Sequence, residues 1–324
     1  MKLTVVIVNY KVRDLLLQCL DSLRRNRPGF DYETVVVDNH SDDGSREAVA
    51  RYFPEVNYIE LAENKGFAYA NNQAVRQSRA DYVLLLNPDT ILSENVLERV
   101  VAFADKADRF GALGVKMLDA HGNFLPESKR NEPTLWNALL KMCGLTHVGG
   151  RNAYYRQQLG EDETGETPVL AGAFMLLNRK ELGDVCLLDE DFFMFGEDID
   201  LSVRIRRAGR KNYYLPVEII HYKGESTRQD QARYIRDFYD AMLIYYRKHY
   251  RHGSWLAACV VPGMKMLHRL RNRLVRPRRT ATHTPWVLDA TEMTYSEIIE
   301  QVKHQGQERC MVLQHPDLQM EVSC

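Results

Sequence analysis

The chain has 324 residues, 45% of them hydrophobic and 27% charged, which is enough for one large folded domain with an addition or for two small domains. Its formal net charge of −1 argues against a protein that binds nucleic acid over its surface. The six cysteines form no CxxC pair or metal-ligand spacing, so they favour a reducing compartment. The apolar stretch at residues 3–8 is too short for a signal sequence, and no apolar run reaches the ~18 residues of a membrane-spanning helix.

The first third of the chain alternates strand-like and helical patterns. Its apolar runs are short, nearly continuous and rich in Val, Ile and Leu, as expected for parallel strands that are covered on both faces. Repeated strand–helix units of this kind favour a doubly wound α/β domain. We predict strands at residues 3–8, 34–37, 56–61 and 82–86, and helices near 12–25, 44–52, 67–79 and 93–105.

The middle of the chain is less regular. Residues 120–165 are rich in Gly, Asn, Pro and charged side chains, so they predict a loop-rich insertion with one helix near 134–143. Regular structure then returns. We predict a strand at 169–177, a helix near 198–208, and strand-like runs at 212–215 and 217–220.

A basic segment follows these elements. Residues 241–288 hold ten Lys or Arg and no Asp or Glu. Such a segment is typical of a helix on an anionic membrane surface, although a solvated basic helix packed on the main domain explains the same charges. We therefore divide the chain into a main domain, a basic helical addition, and a tail without an assigned role. The boundaries are 1–228, 229–284 and 285–324.

Four polar clusters stand at the carboxyl ends of the predicted strands. In open α/β sheets, ligands bind in the crevice beyond these ends, so the clusters predict a shared binding site. Polar turns are common at strand ends, and one such cluster alone would carry little weight. The clusters are Asn9-Tyr10, Asp38-Asn39, Asn64-Lys65-Gly66 and Asn87-Pro88-Asp89.

Several of these side chains suit a nucleotide diphosphate. Asp38 can accept hydrogen bonds from a base or ribose, although an acid that caps a turn gives the same pattern. Asp89 can ligate a divalent cation that neutralises a diphosphate, the alternative being an ordinary Asn-Pro-Asp turn. His221 is a candidate metal ligand and Arg228 a candidate phosphate clamp, with exposed polar side chains as the alternative for both.

An acidic helix start supplies candidate catalytic groups. Glu197, Asp198 and Asp200 lie in a predicted first helical turn, where the helix dipole favours negative charge. The apolar run at 192–195 can also shield one carboxylate from water, as suits a general base. Because a helix N-terminus acts in the opposite direction, the sequence leaves the net effect open.

Five motifs, in this order, resemble family 2 inverting glycosyltransferases, in the branch of bacterial rhamnosyltransferases. The likeness covers about residues 3–228, and the gaps between the motifs are typical of that family. The motifs are Val-Val-Ile-Val-Asn-Tyr, Val-Val-Asp-Asn-x-Ser-x-Asp-Gly-Ser, Asn-Lys-Gly-Phe-Ala-x-Ala-Asn-Asn, Leu-Leu-Asn-Pro-Asp and Gly-Glu-Asp-x-Asp-Leu.

The resemblance implies a GT-A fold, which is a Rossmann-like, mostly parallel sheet flanked by helices, here with a C-terminal helical addition. Residues 1–228 would be the catalytic domain. The implied donor is a nucleotide-diphosphate sugar such as dTDP-rhamnose or a UDP-sugar. Its nucleotide would meet Asp38 and the neighbouring polar residues Asn9, Tyr10, Asn39, Asn64, Lys65 and Gly66.

The resemblance also implies a metal. Asp89 matches the last acid of an Asp-x-Asp motif that binds Mg²⁺ or Mn²⁺. Asn87 replaces the first acid of that motif, which implies weaker metal binding or help from His221.

The resemblance assigns the reaction as well. Asp198 matches the general base, with Glu197 as its supporting neighbour, and the attack on the anomeric carbon inverts configuration. Lys129 and Arg130 lie where this branch carries a basic residue before a proline, which implies contact with the acceptor or a phosphate. The acceptor would be a glycan or a lipid-linked sugar, and the enzyme would be cytoplasmic or peripheral on the inner face of the membrane.

Two rival functions stay open. A sugar nucleotidyltransferase shares this type of sheet, but it needs a glycine-rich phosphate loop after the first strand, and residues 9–13 contain no glycine. A non-catalytic scaffold subunit of a polysaccharide-synthesis complex is the other rival, favoured by the replacement at Asn87. A dinucleotide oxidoreductase is less favoured than either, because no GxGxxG follows a strand.

Overall fold

The computed structural model describes residues 1–133, 158–222, 231–250, 261–263, 265–266, 284–306 and 309–323. The helix predicted near 134–143, the candidate Arg228 and most of the basic run after residue 266 lie outside these residues. None of the helices within them has the length and apolar character needed to cross a membrane.

The described strands up to residue 222 form one large sheet and one two-stranded ribbon. They are β1 (Leu3–Asn9), β2 (Tyr32–Asp38), β3 (Asn57–Glu60), β4 (Tyr82–Leu86), β5 (Thr90–Leu92), β6 (Phe110–Leu118), β7 (Lys129–Arg130), β8 (Gly165–Glu166), β9 (Val169–Leu170), β10 (Phe174–Leu177) and β11 (Lys211–His221). The ribbon consists of β7 and β9, which pair antiparallel.

Helices cover both faces of the large sheet. They are α1 (Arg13–Arg25), α2 (Ser45–Tyr52), α3 (Phe67–Gln77), α4 (Val96–Ala104), α5 (Arg179–Leu182), α6 (Glu197–Arg207) and α7 (Gln231–His249). A separate C-terminal unit contains β12 (Thr284–Asp289), α8 (Tyr295–Gln305), β13 (Arg309–His315) and β14 (Met320–Ser323).

The large sheet has two halves of different character. Its order is β3-β2-β1-β4-β10-β6-β11-β5, with β8 paired to β11. The half from β3 to β4 is entirely parallel, as the βα repeats predict. The other half is mixed, since β10 runs antiparallel to both β4 and β6 while β6 and β11 are parallel. The α/β fold predicted from the sequence is confirmed.

Burial on both faces explains the continuous apolar runs. Alternate side chains of a strand point to opposite faces of its sheet. Leu3, Val5 and Ile7 pack in the layer that contains α1 and α4. Val6 and Val8 pack in the opposite layer, with α3 and α6. This packing leaves the carboxyl ends of the parallel strands as the open rim of the sheet.

Two features of the sheet differ from the sequence-based expectation. The strand predicted at 169–177 is broken, because Ala171, Gly172 and Ala173 separate β9 from β10. The runs at 212–215 and 217–220 form one strand with a register shift between Leu215 and Glu218. Strands β5 and β6 were not predicted; β6 is buried throughout but carries two glycines that weaken its pattern.

The C-terminal unit packs behind the rim strands. Strands β12 and β13 are parallel and joined through α8, and β14 runs antiparallel to β13. Its core residues Ile298, Val302 and Leu313 pack with Ile91 of β5 and Ile220 of β11. Burial of each such side chain contributes about 1.5–3 kcal/mol. Residues 284–323 are therefore fixed against the strands that end at the rim.

Glu94 joins the C-terminal unit to the main domain. Its carboxylate accepts hydrogen bonds from the backbone N–H groups of Tyr295 (2.5 Å) and Ser296 (3.1 Å). These groups lie at the start of α8, where backbone N–H groups lack helical partners and negative charge is favourable. Thr294 and Glu297 complete the cap as a reciprocal capping box.

Candidate active site

A pocket opens at the carboxyl ends of the parallel strands, where the sequence predicts a binding site. Each of the four predicted rim clusters contributes at least one residue to the wall of this pocket. Asn9, Asp38 and Lys65 belong to these clusters but do not line the pocket. The lining side chains include Tyr10, Lys11, Asn39, Asn64, Gly66, Asn87, Asp89, Phe193, Phe195, Arg233, Tyr234 and Asp237.

Asp38 lies beneath this pocket and is 3% exposed. Its Oδ2 accepts hydrogen bonds from Asn9 Nδ2 and from the Tyr58 hydroxyl, both at 2.8 Å, and its Oδ1 accepts one from Ser41 N at 2.7 Å. Burial and the hydrogen bond to Asp38 raise the pKa of Tyr58, so the phenol remains a donor. Both carboxylate oxygens of Asp38 are thus occupied within the protein, and its contact with a nucleotide stays a prediction.

Asn39 and Asn64 shape the loop above Asp38. Asn39 Nδ2 donates to Asn64 Oδ1 at 2.9 Å, and Asn39 Oδ1 accepts from Lys65 N at 3.1 Å. Gly66 follows with φ = +93°, and a Cβ there would lie 2.5 Å from Phe193 O. Glycine is therefore required at residue 66, both for its backbone conformation and for this close approach.

Asp89 and His221 meet at the pocket floor. Asp89 Oδ1 lies 3.3 Å from His221 Nε2, because β5 pairs with β11 and places the two side chains side by side. Burial alone would raise the pKa of Asp89. The charge of His221 and the hydrogen bonds to the carboxylate outweigh this effect, so the pKa of Asp89 is lowered. Among the described residues, no third His, Cys, Asp or Glu joins this pair in a metal-binding group.

Asp198 lies at the start of α6 and is already paired with a cation. Its Oδ2 accepts hydrogen bonds from Arg130 Nη2 at 2.5 Å and from Gly172 N at 3.1 Å. Gly172 lies in the break between β9 and β10, and the next residue, Ala173, accepts a hydrogen bond from Asn87 N at 2.9 Å. This connection brings Asp198 to the segment that carries Asp89.

Glu197 has a different environment from Asp198. It is 7% exposed, and its Oε2 has no hydrogen-bond partner. Burial and the neighbouring Asp198 carboxylate raise the pKa of Glu197 to about 8. Glu197 is therefore mostly protonated at neutral pH, so the two adjacent acids share one negative charge.

Asp200 serves to join helices. His249 Nε2 of α7 lies 2.7 Å from its Oδ1, and Arg204 Nε donates to its Oδ2 at 2.6 Å. Asp200 is 1% exposed and so stabilises the packing of α6 on α7. This agrees with its interpretation as a structural acid of the first helical turn.

Phe193, Phe195 and Tyr234 form an aromatic wall of the pocket, which the sequence did not predict. Phe195 packs edge-on against Tyr234 of α7, with ring centroids 5.2 Å apart. Phe193 and Tyr234 remain 38% and 39% exposed at the pocket. Phe195 has φ = +70°, which costs a bulky residue about 1–3 kcal/mol, as often seen at functional sites. The apolar run at 192–195 was a signal, but nothing in the sequence paired it with α7.

The predicted site residues are thus partly brought together. The pocket gathers Tyr10, Asn39, Asn64, Gly66, Asn87 and Asp89, with His221 in contact with Asp89. Lys65 is held by Asn39, whereas Asn9 and Asp38 lie in the layer below. Arg130 contacts Asp198, and neither of these residues nor Glu197 is among those that line the pocket.

The chain matches the family model "Glycosyl transferase family 2" over residues 4–186. It is 30% identical over 254 residues to N-acetylglucosaminyl-diphospho-decaprenol L-rhamnosyltransferase of Mycobacterium tuberculosis, covering 73% of this chain and 80% of that protein. It is 27% identical over 234 residues to the rhamnosyltransferase WbbL of Escherichia coli, covering 69% of this chain and 84% of that protein.

Solved structures agree on the fold. A mannosyltransferase of Pyrobaculum calidifontis, determined with GDP-Man and Mn²⁺, aligns with a TM-score of 0.55 at 17% identity over 86% of this chain and 76% of that chain. A GalNAc-T7 structure with UDP, GalNAc and Mn²⁺ aligns with a TM-score of 0.53 at 17% identity over 73% of this chain and 47% of that chain. These likenesses support the GT-A type of α/β fold. The chain therefore belongs to glycosyltransferase family 2 and is a glycosyltransferase related to bacterial rhamnosyltransferases.

Proposed function

We propose that this glycosyltransferase moves a sugar from a nucleotide diphosphate to an acceptor hydroxyl, with inversion, in cell-surface glycan synthesis. One observation carries the proposal: Asp89 with His221, and Asp198 with Glu197, lie on connected segments of one rim. A cation site and a base site on connected segments suit a displacement in which the anomeric carbon loses the nucleoside diphosphate on one face and gains the acceptor oxygen on the other.

The pair Asp89 and His221 fits a divalent cation. A carboxylate oxygen and an imidazole nitrogen suit Mn²⁺, and the carboxylate also suits Mg²⁺. Asp89 Oδ1 has no well-formed hydrogen bond, and His221 Nδ1 has none, although both are buried. Bound there, the metal would neutralise the departing nucleoside diphosphate. The Mn²⁺ in the two solved glycosyltransferases supports this assignment.

The two walls of the pocket suit the two substrates. The polar wall with Lys11, Asn39 and Asn64 offers donors and acceptors to the nucleotide of dTDP-rhamnose or a UDP-sugar. The aromatic wall with Phe193 and Tyr234 offers rings on which the apolar face of an acceptor sugar can pack.

We assign the acceptor to the lipid-linked class. The mycobacterial relative is named for an N-acetylglucosaminyl-diphospho-decaprenol acceptor. A lipid-linked acceptor would place the enzyme at the inner surface of a membrane, where the basic run within residues 241–288 would meet anionic headgroups.

Asp198 is the proposed general base. Its Oδ2 is held by Arg130 and Gly172, while its Oδ1 accepts one hydrogen bond, from Ile199 N at 2.8 Å. A carboxylate oxygen can accept a second, so Oδ1 can take the proton of the acceptor hydroxyl as that oxygen attacks the anomeric carbon. The neutral neighbour Glu197 adds no second charge that would compete for the proton.

The test is a thermal-shift screen of nucleotide sugars with Mn²⁺ or Mg²⁺, followed by analysis of the product. A matching donor should raise the melting temperature when metal is present, since a ligand stabilises the state that binds it. Transfer to a glycosyl-diphospho-lipid should then give a product whose anomeric configuration, read by NMR, is opposite to that of the donor.

The rival functions give other outcomes. Donor binding without transfer or hydrolysis would support the scaffold function, which the replacement at Asn87 favours. Release of pyrophosphate from a nucleoside triphosphate and a sugar phosphate would identify a nucleotidyltransferase. Retention of configuration would overturn the direct displacement.

A further inference from the structure

Arg130 is buried beside the proposed base. It lies on β7 and is 9% exposed, and its Nη2 makes two hydrogen bonds. This nitrogen donates to Leu170 O at 2.7 Å and to Asp198 Oδ2 at 2.5 Å. The guanidinium is therefore locked between the backbone of β9 and the carboxylate.

The surrounding backbone holds Asp198 from the other side. The ribbon pairing of Arg130 with Val169 sets the distance from β7 to the break before β10. In that break, Gly172 N donates to the same carboxylate oxygen, and a Cβ on Gly172 would lie 3.2 Å from Asp198 Cβ. Arg130 and Gly172 thus define the orientation of the Asp198 side chain.

Arg130 supplies the positive charge that pairs with the Asp198 carboxylate. The other acids of this helical turn are Glu197, which is mostly protonated at neutral pH, and Asp200, which pairs with Arg204 and His249. Within the described residues, Arg130 is the basic side chain that forms an ion pair with Asp198. A guanidinium stays protonated at all physiological pH values, so the charge of Arg130 does not change with pH.

We propose that Arg130 is a positioning residue for the base, orienting the Asp198 carboxylate, and that it does not contact the donor or the acceptor. The inference rests on the proposed role of Asp198. It replaces the contact with acceptor or phosphate that the family resemblance implies for Arg130, because the guanidinium donates to Asp198 and to the backbone of β9.

The test compares Arg130→Ala and Arg130→Lys with Arg206→Met as the matched control. Arg206 lies on the same helix as Asp198, but it is 43% exposed and pairs with Glu132. We expect Arg130→Ala to lower kcat roughly ten- to a hundred-fold, a part of what a general base supplies, with the KM for the donor within about twofold of the wild type. Arg130→Lys should retain an intermediate kcat, because it keeps the charge without the planar fork.

Two readouts separate positioning from simple loss of structure. Added guanidinium chloride should restore part of the kcat of Arg130→Ala, with no effect on Arg206→Met. The loss should also appear in kcat alone, with the KM values for donor and acceptor within about twofold of the wild type, which a disordered site would not preserve.

The possible failures are distinguishable. If Asp198→Asn keeps wild-type turnover, the assignment of the base fails and the role of Arg130 fails with it. If Asp198→Asn is inactive but Arg130→Ala has normal kcat, the role of Arg130 alone is wrong. A raised donor or acceptor KM with unchanged kcat in Arg130→Ala would show direct substrate contact and overturn the proposal.

Discussion

Two buried aspartates at one rim of the sheet are neutralised in different ways. Asp89 faces His221, whose imidazole nitrogen can also bind a metal ion, and two polar atoms of this pair, Asp89 Oδ1 and His221 Nδ1, lack hydrogen bonds. Asp198 faces Arg130, which keeps its charge, and its Oδ2 is fixed by two donors.

The difference separates the two roles. A carboxylate with a replaceable partner suits the binding of an incoming cation, because a neutral imidazole can become a ligand. A carboxylate with a permanent partner suits a base, because it must be ionised and oriented before the acceptor arrives. The following variants test this contrast.

The largest effect is expected for Asp198→Asn. Transfer should fall by at least about 10²- to 10⁴-fold, the contribution of a general base, while donor binding changes little. The amide oxygen can still accept from Arg130, so the fold should be preserved. Steady-state kinetics and donor titration measure the two quantities, and near-normal turnover would remove Asp198 from the base role.

A smaller effect is expected for Asp89→Ala. Donor affinity in the presence of Mn²⁺ should fall roughly tenfold or more, and a chelator should then make no further difference. Calorimetric titration with and without chelator provides the measurement. Asp108→Ala, which removes an exposed acid at the far end of β6, is the control. Equal chelator sensitivity in wild type and Asp89→Ala would refute the metal assignment.

Glu197→Gln should change the pH dependence of stability. Folding raises the pKa of Glu197 from its usual 4.5 to about 8. Between these pH values Glu197 ionises in the unfolded chain but stays protonated in the folded one, so the free energy of unfolding falls as the pH rises. The glutamine does not ionise. Its melting temperature should therefore match that of the wild type near pH 4 and exceed it by several degrees at pH 8. A constant difference across this range would contradict the buried, protonated acid.

The smallest effect is expected for Phe193→Ala. Loss of the exposed ring should raise the acceptor KM a few-fold and leave donor affinity unchanged, because the aromatic wall is the part of the pocket assigned to the acceptor sugar. The exposed Val287→Ala in the C-terminal unit is the control. A change in donor affinity instead would assign the aromatic wall to the donor.

The sequence predicted the parallel half of the sheet because each strand there is a continuous apolar run between helical patterns. It also predicted that Asp89 and His221 can share a ligand, through the motifs at their strand ends. It could not predict the contact of Arg130 with Asp198, since these residues are 68 positions apart and meet through a break between β9 and β10. The aromatic wall was missed for the same reason, because only tertiary packing brings Phe195 to Tyr234.

The C-terminal unit has a consequence for how the enzyme is made. Ile91 and Ile220, next to the strand ends that carry Asp89 and His221, are buried against Ile298, Val302 and Leu313. A nascent chain emerges from its N-terminus, so these rim strands leave the ribosome with an uncovered apolar flank. Activity should therefore appear only after residues 284–323 have been translated and docked, and chaperone binding in that interval should centre on β5 and β11.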